Sequence, residues 1–571
     1  MKNNILRFAF PSLVTVIFML GFYYFALPAI NVLSFDFWVM IVLSALVFFA
    51  VFDRASVYRW LGNWFKYAVK DENGQKSKKR SKGKSSGANN DYVVNTNPYA
   101  VPRKIKITLY VILAVIAALI LVMFFSSSRL TRARSYQKML TVSESDFSKD
   151  ISEISISQIP IVDRDTAERL GSRKIGEVVD LVSQFNVSDY YTQINYLDKP
   201  YRVSPLEYAG FLKWISNADE GIPYYVSIDM ATQQTELVKL DEGMKYSPSE
   251  YFGRDLMRHI RFANPTKLLG ELSFEIDDNG RPFWVISYYT FTIGIVGGKD
   301  VAGVVVVDAV SGEMTDYPTD AIPQWIDRAY SAELVVEQAN NWGSLANGFF
   351  NSIFVQKGVV VTTEGYNYIA VDGDVWLYTG ITSVVSDESN IGFILINMRT
   401  KEAKTYMING AEEYSAMESA QGQIQEKGYT ATFPILLNIA NRPTYFISLK
   451  DNAGLVKAYA FVSVSDYQIV GVADKISDAN AEYRRMLGLE VEDEVEVGDT
   501  VEYEGEIVDI ASAVKNGNTL FYMIIRRTDV AEATIYTADI RVSDALPFIK
   551  VGDKVTFSAD DECRISKIKI S

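Results

Sequence analysis

The chain has 571 residues, of which 48% are hydrophobic and 22% are charged, and its formal net charge is −14. This length exceeds what one hydrophobic core organises, so three or four domains are expected. One cysteine, Cys563, and one histidine, His259, exclude an internal disulfide and metal sites built from several Cys and His ligands. The acidic balance argues against binding to nucleic acid, because phosphate contacts need Lys and Arg.

Three apolar segments come first in the chain, at 8–27, 37–52 and 107–125, and none contains a charged residue. About 20 such residues cross the hydrocarbon core of a bilayer, and the shorter second segment either spans with local thinning or is a re-entrant helix. The first is too long for a signal peptide, so we expect it to be retained. Since transporters need ionisable groups at depth, we interpret residues 1–52 and 107–128 as an anchor of three transmembrane helices.

A basic loop separates the second and third segments. Residues 53–106 contain 13 Lys and Arg against 4 Asp and Glu, including the run KSKKRSKGK at 76–84. Lysine-rich loops stay on the cytoplasmic side, which places the N-terminus and this loop inside and the rest of the chain outside. Residues 76–84 are either a solvated linker or a contact with anionic lipid, where each Lys or Arg contributes about 1 kcal/mol.

Beyond residue 140, short β-rich runs alternate with turn signals. The stretch GVVVVDAVSGEMTDYP at 303–318 combines an apolar strand, a turn of small residues and a second strand, and related patterns occur at 224–240 and 392–408. An Asp or Asn that ends the first strand can accept hydrogen bonds from backbone N–H groups two or three residues ahead, and glycine relieves strain where φ is positive. The turn-forming residues predicted in this way are Asp229, Asp308, Gly312 and Asn397.

Helices are expected between these hairpins, and helices followed by antiparallel strands make the fold class α+β. The stretch from Ser247 to Glu250 indicates a capping box, and Ser204 followed by proline indicates another helix start. Further helices are expected at 323–341, 412–427 and 477–487. We divide this region into a first α+β part at 140–320 and a second at 321–489.

Residues 268–318 resemble a PepSY module. That family places a helix before its strands and ends in a strand of the form V-x-V-D-A-x-[ST]-G-E, which residues 305–313 match. The related patterns around Asp229 and Asn397 lack the glycine. The resemblance implies an extracytoplasmic, non-catalytic module linked to the inhibition or regulation of peptidases at the cell envelope. The whole layout also resembles membrane-anchored bacterial envelope proteins, which supplies no activity to transfer.

The C-terminal part, residues 490–571, is expected to form a separate domain. Near repeats at 497–503 and 551–557 and a series of short strands indicate a small closed β-barrel of the OB type. A site for single-stranded nucleic acid would need a basic groove with stacking aromatics, but acidic residues flank this segment. We therefore expect structural or protein-binding use. The residues best suited to a polar contact are Tyr522, Arg526 and Arg527.

Candidate site residues are few. His259 is in line with apolar residues of its predicted helix and is flanked by arginines, so a packed histidine is expected. The sequence contains no Walker, HExxH, EF-hand or GxSxG motif, so no catalytic, cofactor-binding or metal-binding residue is assigned. Aromatic residues on strands either pack the sheets or offer a platform to a glycan or peptide. The aromatics considered for partner binding are Trp284, Tyr288, Trp376 and Tyr378.

These patterns predict a multi-pass protein of the cell membrane with a cytoplasmic N-terminus and an extracytoplasmic C-terminal part. Its expected task is binding: it holds or regulates an envelope partner such as a peptidase or an assembly factor. The lipid bilayer is the other expected partner, and no cofactor, enzyme activity or nucleic acid is expected. Two alternatives stay open, a cell-wall hydrolase with two carboxylates facing across a cleft and a purely structural repeat protein.

Overall fold

The computed structural model describes residues 2–52, 103–153, 158–384, 386–489, 501–515, 518–530, 533–543, 545–560 and 563–570. The run at 76–84, with its predicted lipid contact, lies outside these residues. The α-helices are Lys2–Ala26, Phe35–Phe52, Arg103–Ser127, Arg129–Gln137, Phe147–Asp150, Arg164–Gly176, Val179–Val182, Phe211–Asn217, Leu256–Ala263, Ala332–Ser344, Glu413–Gln423 and Ile476–Met486. The strands are β1 (Val142–Glu144), β2 (Phe185–Val187), β3 (Thr192–Tyr196), β4 (Lys199–Tyr208), β5 (Ile222–Asp229), β6 (Thr235–Met244), β7 (Leu268–Ile276), β8 (Pro282–Ile293), β9 (Gly297–Asp308), β10 (Met314–Pro318), β11 (Val360–Thr362), β12 (Asn367–Val371), β13 (Asp374–Ser383), β14 (Ser386–Asn397), β15 (Ala403–Tyr406), β16 (Gly410–Ala411), β17 (Thr430–Ala431), β18 (Ile435–Ile439), β19 (Arg442–Lys450), β20 (Val456–Ser463), β21 (Val470–Ala473), β22 (Val501–Lys515), β23 (Asn518–Arg527), β24 (Ala533–Asp539), β25 (Lys554–Ala559) and β26 (Ile565–Ile570).

Two compact units divide the chain. The first comprises Met1–Ser145, Pro160–Asp387 and Ile391–Met407. The second comprises Asp146–Ile159, Glu388–Asn390 and Ile408–Ser571. Both mix helices with mainly antiparallel sheets, so the α+β fold class is confirmed.

Among the described residues of the first unit, three helices are long and apolar enough to cross a membrane. The qualifying stretches are Phe8–Ala26, Phe35–Phe52 and Ala114–Gln137, with mean hydropathies of 1.8, 2.4 and 1.9. At most 11% of any of these stretches is buried inside the protein. In the third stretch the apolar part ends before Arg129. A long apolar helix that is barely packed by protein is suited to a lipid environment.

The first unit is built on three copies of one antiparallel meander, each preceded by a helix. The copies are β3–β4–β5–β6, β7–β8–β9–β10 and β12–β13–β14–β15. In the first and third copies a short extra strand, β2 or β11, also pairs with the second strand of the meander. In the second copy, β7 instead has a register shift between Leu269 and Leu272. Broken or bulged edges of this kind hinder unwanted pairing with another chain.

The three meanders close their last hairpin with the same turn. The side-chain Oδ1 of Asp229, Asp308 or Asn397 accepts backbone N–H groups two and three residues ahead, at 2.8–2.9 Å. The left-handed residue of the turn is Gln233 (φ 63°), Gly312 (φ 78°) or Lys401 (φ 64°). Glycine is needed only at position 312, where a Cβ would lie 2.3 Å from the ring of Tyr246.

The four valines of β9 are buried because both faces of this strand are covered. Val304 and Val306 belong to a core that also contains Val335 from the helix of the third copy and Leu377 and Ile394 from its strands. Burying one such aliphatic side chain contributes roughly 1.5–3 kcal/mol. This core joins the second and third copies within the first unit.

The helix predicted at Ser204 is wrong. Ser204 and Pro205 lie inside β4 and pair with Val226 and Tyr225 of β5. Val203 and Leu206, on either side, are buried in the sheet. Their burial outweighs the local helix-start signal of Ser-Pro, since tertiary packing overrides weak local propensity.

The capping box predicted from Ser247 to Glu250 is also wrong. The helix begins at Leu256, and its cap is Asp255, whose side chain accepts the N–H of Arg258 at 2.9 Å. The carboxylate of Glu250 instead accepts hydrogen bonds from two aromatic side chains, described below. The helix expected from 323 begins only at Ala332.

The second unit contains a fourth meander and a separate sheet. The meander is β18–β19–β20–β21, and its core includes Tyr445, Phe446, Phe461 and Tyr483. The C-terminal sheet has the strand order β24–β23–β22–β25–β26. Its buried face includes Met523, Phe557 and their apolar neighbours.

Candidate binding site

A polar cavity of about 600 Å³ lies where segments of all three meander copies of the first unit meet. Its walls come from residues 189–192 at the start of β3, 271–273 of β7, 328–333 at the start of the helix Ala332–Ser344, and 366–368 at the start of β12. These segments are far apart in the sequence, and the packing of the three copies brings them together. The cavity is within the size range of small-molecule and peptide sites.

Two tyrosines of the wall are exposed. Tyr366 and Tyr190 keep 44% and 36% of their surface exposed. The ring of Tyr366 contacts the ring of Tyr368 edge-on, with 5.7 Å between centroids. Burial, followed by the neighbouring Tyr368, raises the pKa of Tyr366. Its hydroxyl is therefore protonated at neutral pH and can donate a hydrogen bond.

Arg328 supplies a fixed positive charge to the wall. Its guanidinium carbon lies 3.8 Å from the ring centroid of Tyr368. Burial by itself lowers the pKa of Arg328, but Tyr368 and the buried carboxylates Glu275 and Asp327 outweigh it, so the net shift is upward. Arg328 therefore stays charged.

The buried carboxylates of Glu275 and Asp327, next to Arg328, support the cavity and do not line it. Glu275 accepts hydrogen bonds from the hydroxyl of Ser273 (2.6 Å) and the N–H of Asp327 (2.7 Å), and Asp327 accepts the N–H of Asn195 (2.6 Å). Both carboxylates are at most 1% exposed, and burial raises the pKa of each. They hold the cavity floor in place without facing a ligand.

A second cavity of about 520 Å³ adjoins the first. The two share Glu333 and Tyr366, and the second continues along the helix Ala332–Ser344 as far as Arg129. Arg129 follows directly after the third apolar helix and is paired with Glu337 at 2.6 Å. Together the cavities form a groove along the helix, which we call the Tyr366 groove.

The aromatics predicted to bind a partner do not line this groove. Trp284 and Tyr378 are fully buried and Trp376 is 6% exposed, so they pack the cores of their sheets. Tyr288 is half-buried, with the ammonium of Lys267 3.9 Å from its ring centroid. Successive residues of a strand face opposite sides, and the sequence did not indicate which side is covered.

The predicted turn residues close hairpins and are not among the residues that line the groove. Asp308 also forms an ion pair with Arg281, and Asn397 donates a hydrogen bond to Asp374 at 2.8 Å. His259 has a structural contact, because its Nε2 lies 2.8 Å from the carbonyl oxygen of Gly312. In the C-terminal sheet, Arg527 is already engaged by Asp529 and by the ring of Tyr503, at 3.8 Å.

Sequence reasoning missed Tyr366, Tyr368 and Arg328. The spacing of the two tyrosines was the available signal, because residues i and i+2 of an extended segment share a face. Among the residues that the structure describes, no group of three or more His, Cys, Asp and Glu side chains could hold a metal ion.

Comparison with known proteins assigns no family. No protein-family model matches the chain, and the search of curated proteins found no match. Among solved structures, the Bacillus megaterium YpeB C-terminal domain aligns at 10% identity over 43% of this chain and 98% of its own, with a TM-score of 0.09. A B. megaterium levansucrase mutant aligns at 10% identity over 76% and 96%, with a TM-score of 0.18. An ACO/RPE65 chimera aligns at 9% identity over 62% and 59%, with a TM-score of 0.13, and none of these scores establishes a shared fold.

Proposed function

We propose that this protein is a membrane-anchored, extracytoplasmic binding protein that holds an extended segment of another envelope protein in the Tyr366 groove. The observation that carries the proposal is the pair of adjoining cavities along the helix Ala332–Ser344. This helix has 13 residues, which corresponds to about 20 Å. A groove of that length accommodates roughly six residues of extended peptide.

The chemistry of the groove suits a peptide. Tyrosine offers a wide apolar face with a polar tip, which recognises peptide backbone and side chains at low entropic cost. Arg328 supplies a charge for a carboxylate or carbonyl of the ligand. Glu271 and Glu333, which also line the first cavity, select against strongly acidic segments.

Several features support the finer parts of the proposal. The PepSY-like pattern at 305–313 supports regulation of a peptidase or an assembly factor as the task. The basic composition of residues 53–106 supports a cytoplasmic location for that loop, and hence an outer location for the meanders. A hydrogen bond from the Thr537 N–H to the Cys563 carbonyl (2.9 Å) joins the third C-terminal strand to the start of the fifth, which supports a closed, OB-like barrel.

A photo-crosslinking amino acid in place of Tyr366, in the full-length protein in cells, tests the binding function. The matched control places the same amino acid at Tyr467, a turn residue with a similar exposure of 47%. We expect a discrete protein adduct from position 366 that is weakened by Glu271→Arg, an exposed substitution in the cavity wall. Identical adducts at both positions, or none at 366, would contradict the proposal.

A hydrolase is the second candidate, because Asp189, Glu271 and Glu333 place three carboxylates around one cavity. Paired carboxylates 5–10 Å apart are the usual machinery of glycoside hydrolysis. Purified full-length protein incubated with cell-wall sacculi decides between the two. Release of reducing ends that is lost in both Glu271→Gln and Glu333→Gln would favour the hydrolase, and unchanged sacculi favour the binding protein.

A further inference from the structure

Two contacts fix where the first unit meets the ends of its apolar helices. At the first helix, the ring of Tyr23 stacks on Phe262 with 5.6 Å between centroids, and the Nε of Arg258 donates to the carbonyl of Tyr24 at 3.2 Å. At the end of the third apolar helix, the hydroxyl of Ser127 accepts the backbone N–H groups of Ile295 and Val296, each at 3.0 Å. If these helices cross a bilayer, its surface passes close to both contacts.

An exposed apolar cluster lies beside the first contact. The carbonyl of Phe252 accepts a hydrogen bond from the Arg258 guanidinium at 2.6 Å, and its ring lies 5.7 Å from that of Trp214. Trp214 belongs to the short helix Phe211–Asn217, which contains no buried residue. The apolar residues of this cluster, the 211 patch, are Phe211 (45% exposed), Leu212 (75%), Ile215 (55%) and Phe252 (59%).

A second apolar cluster lies beside the other contact. Phe349 packs in a small core with Tyr136, Ile293 and Leu345, and the hydroxyl of Tyr136 donates to the carbonyl of Ser127 at 2.6 Å. The next residues form one π-helical turn, Asn351–Val355. Its exposed apolar side chains, the 350 patch, are Phe350 (65% exposed), Ile353 (49%), Phe354 (74%) and Val355 (70%).

Each patch presents apolar side chains next to the end of a membrane-length helix. Single exposed apolar residues are ordinary, but contiguous exposed clusters mark an interaction surface. Aromatic residues are favoured at the level of the lipid head groups, and Lys213 and Lys357, beside the two patches, match an anionic bilayer surface. Because both patches lie next to the ends of apolar, membrane-length helices, the bilayer is the partner that fits both of them.

We infer that the 211 patch and the 350 patch insert into the interfacial region of the bilayer that the three helices cross, and thereby hold the first unit against the membrane surface. The inserted side chains act as surface anchors in the manner of an interfacial amphipathic helix. Their position keeps the Arg129 end of the Tyr366 groove close to the lipid. The inference concerns lipid contact and does not depend on what the groove binds.

Fluorescence quenching in a defined bilayer tests this inference. The full chain, with Cys563→Ser, carries the environment-sensitive label NBD at Leu212→Cys or Phe354→Cys and is reconstituted into vesicles of phosphatidylcholine and phosphatidylglycerol. The control is Leu197→Cys, an exposed leucine (62%) in the β3–β4 turn. Each labelled protein must melt at the same temperature as its unlabelled parent.

Acyl-chain doxyl lipid is expected to reduce NBD emission strongly at 212 and 354 and weakly at 197. Equal quenching at all three positions would overturn the inference. Blue-shifted emission at 212 and 354 that doxyl lipid fails to quench would also overturn it, and would assign the patches to a second copy of the chain or to another protein.

Discussion

Asn397 differs from its equivalents in the other two copies of the turn, and the structure gives a reason that can be measured. Its Oδ1 accepts the N–H groups of Arg399 and Thr400, while its Nδ2 donates to Oδ2 of Asp374 at 2.8 Å. Asp374 also accepts two hydrogen bonds from the Arg399 guanidinium, both at 2.7 Å. An aspartate suits the turn at 229 and 308, but at 397 it would face a buried carboxylate.

The substitution Asn397→Asp therefore brings two carboxylate oxygens to 2.8 Å in place of a hydrogen bond. Two unit charges at that distance repel by about 6 kcal/mol at an effective dielectric of 20. Binding one proton relieves the repulsion and costs about 4 kcal/mol at pH 7 for a carboxyl with an ordinary pKa near 3.9. Because Arg399 offsets part of the repulsion, we expect a loss of roughly 2–4 kcal/mol of unfolding free energy at pH 7.

The sign of the pH dependence follows from where the proton binds. The folded variant holds a proton that its unfolded chain releases, so the folded pKa is raised above the unfolded one. Its deficit relative to the parent is small below about pH 4 and grows as the pH rises towards 7. The control Asn397→Ala loses the turn hydrogen bonds but adds no charge, so its deficit changes little with pH.

Urea unfolding of the full chain in detergent, followed by tryptophan fluorescence at pH 4.5 and pH 7.5, measures both variants. We expect the Asn397→Asp midpoint to fall much further below the parent at pH 7.5 than at pH 4.5. A deficit that is the same at both pH values, or absent at pH 7.5, would refute the assigned role of the amide.

Four further substitutions, in two matched pairs, test the turn and the floor of the cavity. Gly312→Ala places a Cβ against the ring of Tyr246 at positive φ, so it should lower the melting temperature, at a cost in unfolding free energy of at least about 1–2 kcal/mol. The control Gln233→Gly, at the equivalent position of the first copy, should change the unfolding free energy by no more than about 1 kcal/mol. Equal effects of the two substitutions would refute the steric argument. In Glu275→Gln the amide oxygen can still accept the Asp327 N–H, and the amide nitrogen can donate to the Ser273 hydroxyl. The substitution removes a carboxylate whose pKa burial raises, so stability relative to the parent should improve as the pH rises from 4 to 7. Glu275→Ala leaves the buried N–H of Asp327 without its acceptor and should cost about 1–3 kcal/mol. Identical melting curves for the two Glu275 variants would contradict the supporting role of this side chain.

Local signals predicted the hairpins well because the turn is a local structure. Asp308 and its equivalents satisfy backbone groups within three residues, so the sequence window contains all the partners. Glu250 shows the opposite case: the Ser-Pro-Ser-Glu stretch has every local feature of a helix start, but its carboxylate binds Tyr208 (2.9 Å) and Trp214 (2.7 Å), about 40 residues away.

The Tyr366 groove could not have been predicted in this way. Its walls combine segments separated by more than a hundred residues, so no periodicity or motif connects Tyr190, Arg328 and Tyr366. The aromatics predicted for partner binding lie in segments whose sequence pattern clearly predicts a strand. Such segments form the central strands of the sheets, so their aromatic side chains are mostly buried in the cores. The exposed aromatics instead lie at strand beginnings, in short helices and in turns, where sequence patterns are weakest.

Labelling of the natural cysteine in intact cells tests most directly whether the binding region lies outside the membrane. Cys563 is the single cysteine of the chain and is half-buried, so a membrane-impermeant maleimide reports its side of the bilayer without any substitution. As the control, Ser86→Cys in a Cys563→Ser background places the reactive group in the basic loop. We expect Cys563 to react equally before and after permeabilisation and position 86 to react only after it. The reverse pattern would contradict the extracytoplasmic location and, with it, the proposed binding of an envelope partner.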